Sequence, residues 1–227
     1  MNGLSPALGD LLPAALGVAL SPIPIIATVL MLLSQRARQT APAFALGWMV
    51  GLTAVLVVVL LVAGPDGIDT SSTSDTTYWV KLLIGLLFLL LAVRTWRGRP
   101  RPGRVVDPPR WMAKVETVSP LVAAGLGAAL SALNPKNLAL AVSGAVSIVS
   151  NDLTSSQEVV CVVLFVVIGS LLVAGPVIAF LVRGQAMSGP LRDLQGFMQA
   201  HNAAIMTVLL AVLGLSNLGK GLGGLLG

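Results

Sequence analysis

Hydrophobic positions along the chain collect into six long runs separated by polar or breaker-rich stretches. About 20 apolar residues in helical form cross the hydrocarbon of a bilayer. Runs near Leu4 to Leu33, Ala41 to Ala63, Tyr78 to Thr95, Ser119 to Ser150, Val159 to Leu181 and Ala203 to Leu218 therefore predict six membrane spans. The sixth is the shortest and can borrow residues upstream of His201 or from the glycine-rich end "LGKGLGGLLG". The first and fourth, at about 30 residues, are too long for one straight perpendicular helix, so each must tilt strongly, break or re-enter.

Both long runs carry a breaker near their centre: Pro22 and Pro24 in "ALSPIPII", Pro135 in "ALSALNPKN". A mid-helix proline removes a backbone hydrogen bond and clashes with the preceding turn, which predicts discontinuous helices in both. The spacing of the breaks divides the chain into residues 1–95 and 119–227, three spans each, joined by a loop at 96–118. Because three is odd, the halves insert in opposite orientations, the inverted-repeat plan of many secondary transporters. The expected fold is an all-α integral membrane protein of six transmembrane helices in two inverted three-helix repeats, the first and fourth spans broken at proline.

Composition agrees with a membrane environment. Of 227 residues, 56% are hydrophobic and 10% charged, with a mean hydropathy of +0.91, outside the balance of a soluble domain. The first basic residue is Arg36, so the charged n-region of a secretory signal is missing and the first run is expected to be retained. Charge then sets orientation. Arg36 and Arg38 follow the first run; Arg94, Arg97, Arg99, Arg101, Arg104, Arg110 and Lys114 follow the third; Arg183 and Arg192 follow the fifth. These three loops hold eleven of the fourteen basic residues, and the intervening loops "GPDGIDTSSTSDTT" and "NDLTSSQE" hold none. The positive-inside rule makes the basic loops cytoplasmic and both termini external. Trp79, Trp96 and Trp111 fall near span boundaries, where indole rings favour the headgroup region.

The net charge of +5 and pI near 10.2 follow from this sidedness. A nucleic-acid surface would instead interleave basic residues with stacking aromatics, so no nucleic-acid partner is expected. The stretch "RTWRGRPRPGR" is a topology anchor that can also gather anionic lipid headgroups. In "MSGPLRDLQGFMQAHN", Met187, Leu191, Leu194 and Met198 recur at helical spacing, which predicts a short helix near 187–200 lying in the membrane interface. His201 and Asn202 follow it, and a histidine there is a candidate gating or interfacial group, as is Asp10 near the outer end of the first span.

Several chemistries are excluded by residue content. Thiol-disulfide relay needs a membrane cysteine pair, and the chain has only Cys161, which reads as a small buried apolar residue. Metal export needs oxygen or imidazole ligands within the spans; one histidine and boundary acids do not supply them. Hydrolase and synthase readings lack a Ser/His/Asp set, paired carboxylates or a phosphate-cradling glycine loop, so no enzyme, no metal and no cofactor is expected. Gly47 and Gly51, four apart, suit close helix packing.

Lys136 is the unusual charge. In "ALNPKNLALAV" an ammonium, two amides and a proline interrupt an apolar run. An ionised residue near the bilayer centre costs about 2.5 kcal/mol or more unless it faces a cavity or a partner, and no acid lies near the middle of any span. Two partners remain: carbonyls freed where the prolines break their helices, or an anionic group on a substrate. With Ser21, Pro22 and Pro24 from the first break and Ser131, Asn134, Pro135 and Asn137 from the second, Lys136 can build a polar, charge-selective site at the seam of the two halves. The same residues can also serve only to hold the broken helix together.

The stretches "ALSPIPIIATVLMLLS", "AFALGWMVG", the arginine-rich loop ending in "PRWM", "LSALNPKNLALAVSGA" and "HNAAIMTVLL" together resemble the GAP family, the glycolipid-addressing proteins of actinobacteria, over almost the whole chain. That resemblance implies membership of the lysine exporter superfamily, with six spans in two inverted repeats and a recurring Asn-Pro motif in the fourth. It implies a plasma-membrane protein that helps move glycolipids toward the cell envelope, with Lys136 meeting an anionic head and membrane lipids as partners. Two alternatives stand beside it: an accessory protein that docks lipid-synthesis or efflux machinery through the basic loop, and a small-solute, amino-acid-like exporter. Six short spans enclose little volume, which also leaves a homodimer open.

Overall fold

A computed structural model describes residues 4–63, 75–99, 118–151 and 153–226. Among them are eight α-helices, one 3-10 turn and no strand. Most of the basic loop (100–117) and the loop at 64–74 lie outside the described residues, so the docking surface expected on the basic loop does too. Arg99, at its near edge, sits over the Trp96 ring with 3.9 Å to the centroid.

The first run is two helices, α1 (Leu4–Ala19) and α2 (Pro22–Leu32), with axes bent by 48°. Pro22 occupies the first turn of α2 and Ser21 before it is extended (φ −76°, ψ 110°). Proline suits that position because its missing N–H would have no intrahelical acceptor there. The fourth run divides in the same way into α5 (Pro120–Ala132) and α6 (Pro135–Val149). Asn134 caps α6 by accepting the Lys136 backbone N–H at 3.1 Å. The remaining runs are single helices: α3 (Ala37–Ala63), α4 (Asp75–Arg97), α7 (Ser155–Arg183) and α8 (Ser188–Leu226). Gly184, at φ +58°, starts the 3-10 turn Gly184–Met187 between α7 and α8.

Four of these helices are long and apolar enough to cross a bilayer, or five crossings if α1 and α2 form one bent span. At 13 and 15 residues, α5 and α6 are each too short alone. Lipid-compatible side chains cover the outside: Leu46, Val50 and Leu61 on α3, Leu83 on α4, and Ile178 on α7 are exposed. The molecule is a helical membrane protein.

The segment expected as a separate interfacial helix near 187–200 differs. It is the first part of α8, which runs without interruption to Leu226. Its apolar face is covered by protein: Leu191 joins the main core, and Met198 packs with Ile25 and Ile26 of α2. Phe197 beside this face is exposed, and a packing stripe has the same period as a membrane-surface stripe.

Two helix pairs approach closely enough to require glycine. A Cβ at Gly47 would land on the Ala124 backbone, and one at Gly127 would sit 2.8 Å from the Trp48 nitrogen, so α3 and α5 touch backbone to backbone. On the other side of the molecule α4 meets α8, where a Cβ at Gly85 would lie 2.9 Å from the Gly214 carbonyl. Between these pairs, α1 packs against α6 and α7 and carries the buried residues Leu11, Ala15 and Val18 of the core.

Candidate functional site

The two helix breaks face each other. When α1 ends, the Ser21 amide bonds to the Val18 carbonyl at 3.1 Å. An uninterrupted helix would send it to Gly17. The Gly17 carbonyl thus freed accepts from Lys136 Nζ at 2.9 Å, across 119 positions of sequence. Lys136 Nζ also donates to Ser21 Oγ at 2.6 Å and reaches Met206 Sδ at 3.5 Å. An ammonium has three donors, and here each meets a neutral acceptor, the thioether being a weak one.

Asn137 completes the link. Its Nδ2 donates to the Leu130 carbonyl at 3.1 Å, in the last turn of α5, and its Oδ1 accepts from Ser21 Oγ at 2.7 Å. Asn137 is fully buried and Ser21 nearly so. Leu130 carbonyl, Asn137, Ser21, Lys136 and Gly17 carbonyl form one continuous network, so a hydroxyl and a backbone carbonyl from the first break satisfy a cation and an amide from the second. Buried polar groups left without such partners cost about 1–3 kcal/mol each.

Beside this network lies an open cleft of about 240 Å³, lined by Ser21, Pro22, Pro24, Asn134, Lys136 and Asn202, with Ile23, Thr95 and Met206. Of the residues singled out in the sequence, six meet there. Ser131 does not: its hydroxyl donates to the Ala128 carbonyl at 3.0 Å and faces Gly51, at the seam of α3 and α5. Pro135 is exposed at the start of α6 and serves the break rather than the cleft wall. His201 is exposed, stacked on Phe197 at 4.5 Å between centroids, with Nδ1 3.0 Å from the Phe197 carbonyl. It lines neither cavity described here. Asp10 is at the other end of the molecule, ion-paired with Lys220. Met206 and Thr95 were not picked out from the sequence; α8 spacing from Asn202 to Met206, one turn on, is the signal that would have found the former.

Chemically, the site offers a cation that has no carboxylate partner among the described residues, amide and hydroxyl groups around it, and an apolar flank. Ile23 in the cleft wall and Leu133 beside the break are exposed, Leu133 at 76%. An anionic group entering the cleft can replace neutral acceptors on Lys136 without displacing a counter-ion.

A family model described as Sap, sulfolipid-1-addressing protein, matches residues 11–223. No curated protein and no solved structure matches the chain. That match takes in both helix breaks, the Lys136 network and most of α8, and the chain belongs to the family of Sap, the sulfolipid-1-addressing protein.

Proposed function

We propose that this protein is a plasma-membrane carrier that helps move a glycolipid, or a similar amphiphile with an anionic head, toward the cell envelope. The observation that carries the reading is Lys136, a cation at an open cleft, held among the described residues by a freed carbonyl, a hydroxyl and a thioether. A lysine needed only for structure would be better stabilised by a carboxylate in hydrocarbon; this arrangement leaves its charge for a ligand. The exposed apolar residues beside the cleft favour an amphiphile over a small solute, because acyl chains can stay in lipid while the head reaches Lys136. The family's name, which refers to sulfolipid addressing, agrees with an acidic head.

The carrier works through two inverted three-span repeats of the kind found in the lysine exporter superfamily, with α1–α2 and α5–α6 each a broken span. Part of the packing supports this: an in-plane two-fold exchanging the first four helices for the last four turns the α3–α5 pair into the α7–α1 pair and leaves the α3–α7 and α4–α8 pairs in place, while the α1–α6 pair departs from that symmetry. The basic loops are cytoplasmic. Thr95 lines the cleft two residues before Arg97 ends α4, so the cleft opens toward that face.

Replacing Lys136 by alanine tests the reading. Envelope delivery of the glycolipid is expected to be abolished while the amount of protein in the membrane is unchanged. Normal delivery by the variant reduces the network to a structural tie and removes the proposal.

A further inference from the structure

Three lysines lie outside the basic loops: Lys136, Lys81 and Lys220. The second and third meet. With Asp10 they line a cavity of about 50 Å³ closed in by Ser143, Ser147 and Asn217. That volume holds a few waters or one small oxyanion. Lys220 is paired with Asp10; among the described residues, no carboxylate lies within ion-pair distance of Lys81. Among the described residues, two ammonium groups against one carboxylate leave the cavity with a formal charge of +1.

This cavity and the Lys136 cleft are the two ends of one axis. Lys81 and Thr95 are fourteen residues apart on α4, about 21 Å at helical rise. The helices between them present matching stripes: Lys136, Leu140, Ser143 and Ser147 share one face of α6, seven and eleven residues bringing the helix back to the same side. On α8 the stripe runs from Asn202 and Met206 through Leu213 to Asn217 and Lys220. Between the cavities an apolar contact blocks the way. A Cβ at Gly17 would lie 3.0 Å from Leu140 and 3.2 Å from Leu213, so both buried leucines press on α1 at the residue whose carbonyl holds Lys136.

We infer that Lys81 and Lys220 form a second oxyanion site, at the far end of the path that begins at Lys136, for a sulfate, phosphate or carboxylate group. The arriving anion takes Lys81 and competes with Asp10 for Lys220, so the Asp10 carboxylate offsets one of the two positive charges and lowers the affinity enough for release. Leu140 and Leu213 separate the two sites. The identity of the anion rests on the carrier reading; the existence of the site does not.

Native mass spectrometry of the full chain released from nanodiscs counts bound lipid. The probes are a sulfated galactosylceramide, its uncharged parent as background, and inorganic sulfate as competitor. The wild-type chain is expected to hold two sulfated lipids above background, K136Q one, K81Q with K220Q one, and the triple variant none, each lost site weakened about tenfold or more. D10N is expected to tighten binding at the second site, whereas a purely structural ion pair would weaken or not affect it. Displacement by inorganic sulfate assigns recognition to the oxyanion alone; retention in its presence assigns it to the oxyanion on the lipid, and both support the site. Wild-type count and affinity in K81Q/K220Q, in protein whose melting is unchanged, overturn the second site. Loss there with K136Q unaffected instead overturns the Lys136 site and leaves this one standing.

Discussion

The bond between Ser21 and Asn137 joins the two helix breaks, and its energy can be measured. Ser21 Oγ donates to Asn137 Oδ1 at 2.7 Å, with Asn137 fully buried and Ser21 nearly so at the cleft wall. Interhelical hydrogen bonds in membrane proteins average about 0.6 kcal/mol and reach about 1.7 kcal/mol, because the unfolded chain in lipid finds other partners. A short bond between two buried side chains belongs at the upper end, about 1–1.7 kcal/mol. Asn137→Leu costs more than the coupling alone, because it also strips the Leu130 carbonyl of its donor; with about 1–3 kcal/mol for each buried group left unpaired, the single variant is expected to lose about 2–4 kcal/mol. The assay is a double-mutant cycle of Ser21→Ala and Asn137→Leu, with unfolding free energies from steric trapping in bicelles. Additivity within about 0.3 kcal/mol refutes the claim that this bond couples the breaks.

Two further outcomes follow from the packing. Gly127→Val at the α3–α5 seam forces a side chain onto the Phe44 carbonyl and Trp48 nitrogen and is expected to cost about 3 kcal/mol, read as loss of folded protein in a detergent melt, whereas Gly125→Ala, which meets nothing, costs far less. Cys161 has no exposed surface and is expected to resist a membrane-permeant maleimide in the folded protein and to react once it is unfolded; rapid labelling in the folded state contradicts its placement in the core.

The apolar runs made most of the helices legible, since 20-residue hydropathy and proline positions are local properties of sequence. Pro22 and Pro135 each open a helix, α2 and α6. What the sequence could not supply was which face meets which. The stripe of Leu191, Leu194 and Met198 has one period whether it meets lipid or protein, so its burial against α2 and the core was not readable. Ser131 is adjacent in sequence to the Asn134–Asn137 motif, yet one helical turn directs it to Gly51 and away from the cleft. Lys81, Lys220 and Asp10 are separated by up to 210 positions, and each alone reads as a boundary charge; only the pairing of α4 with α8 beside α1 brings them to one cavity.

Lys136 as the seat of an anionic head is the claim on which the rest depends, and leaflet exchange in reconstituted liposomes tests it most directly. Purified protein, with orientation checked, is given a fluorescent acidic glycolipid and its uncharged counterpart, and the transfer of each between leaflets is followed by quencher access. The wild-type chain is expected to accelerate exchange of the acidic lipid over the neutral one, and Lys136→Gln to remove the difference. Equal rates for both lipids in the wild-type protein, or an undiminished preference in the variant, contradict that claim.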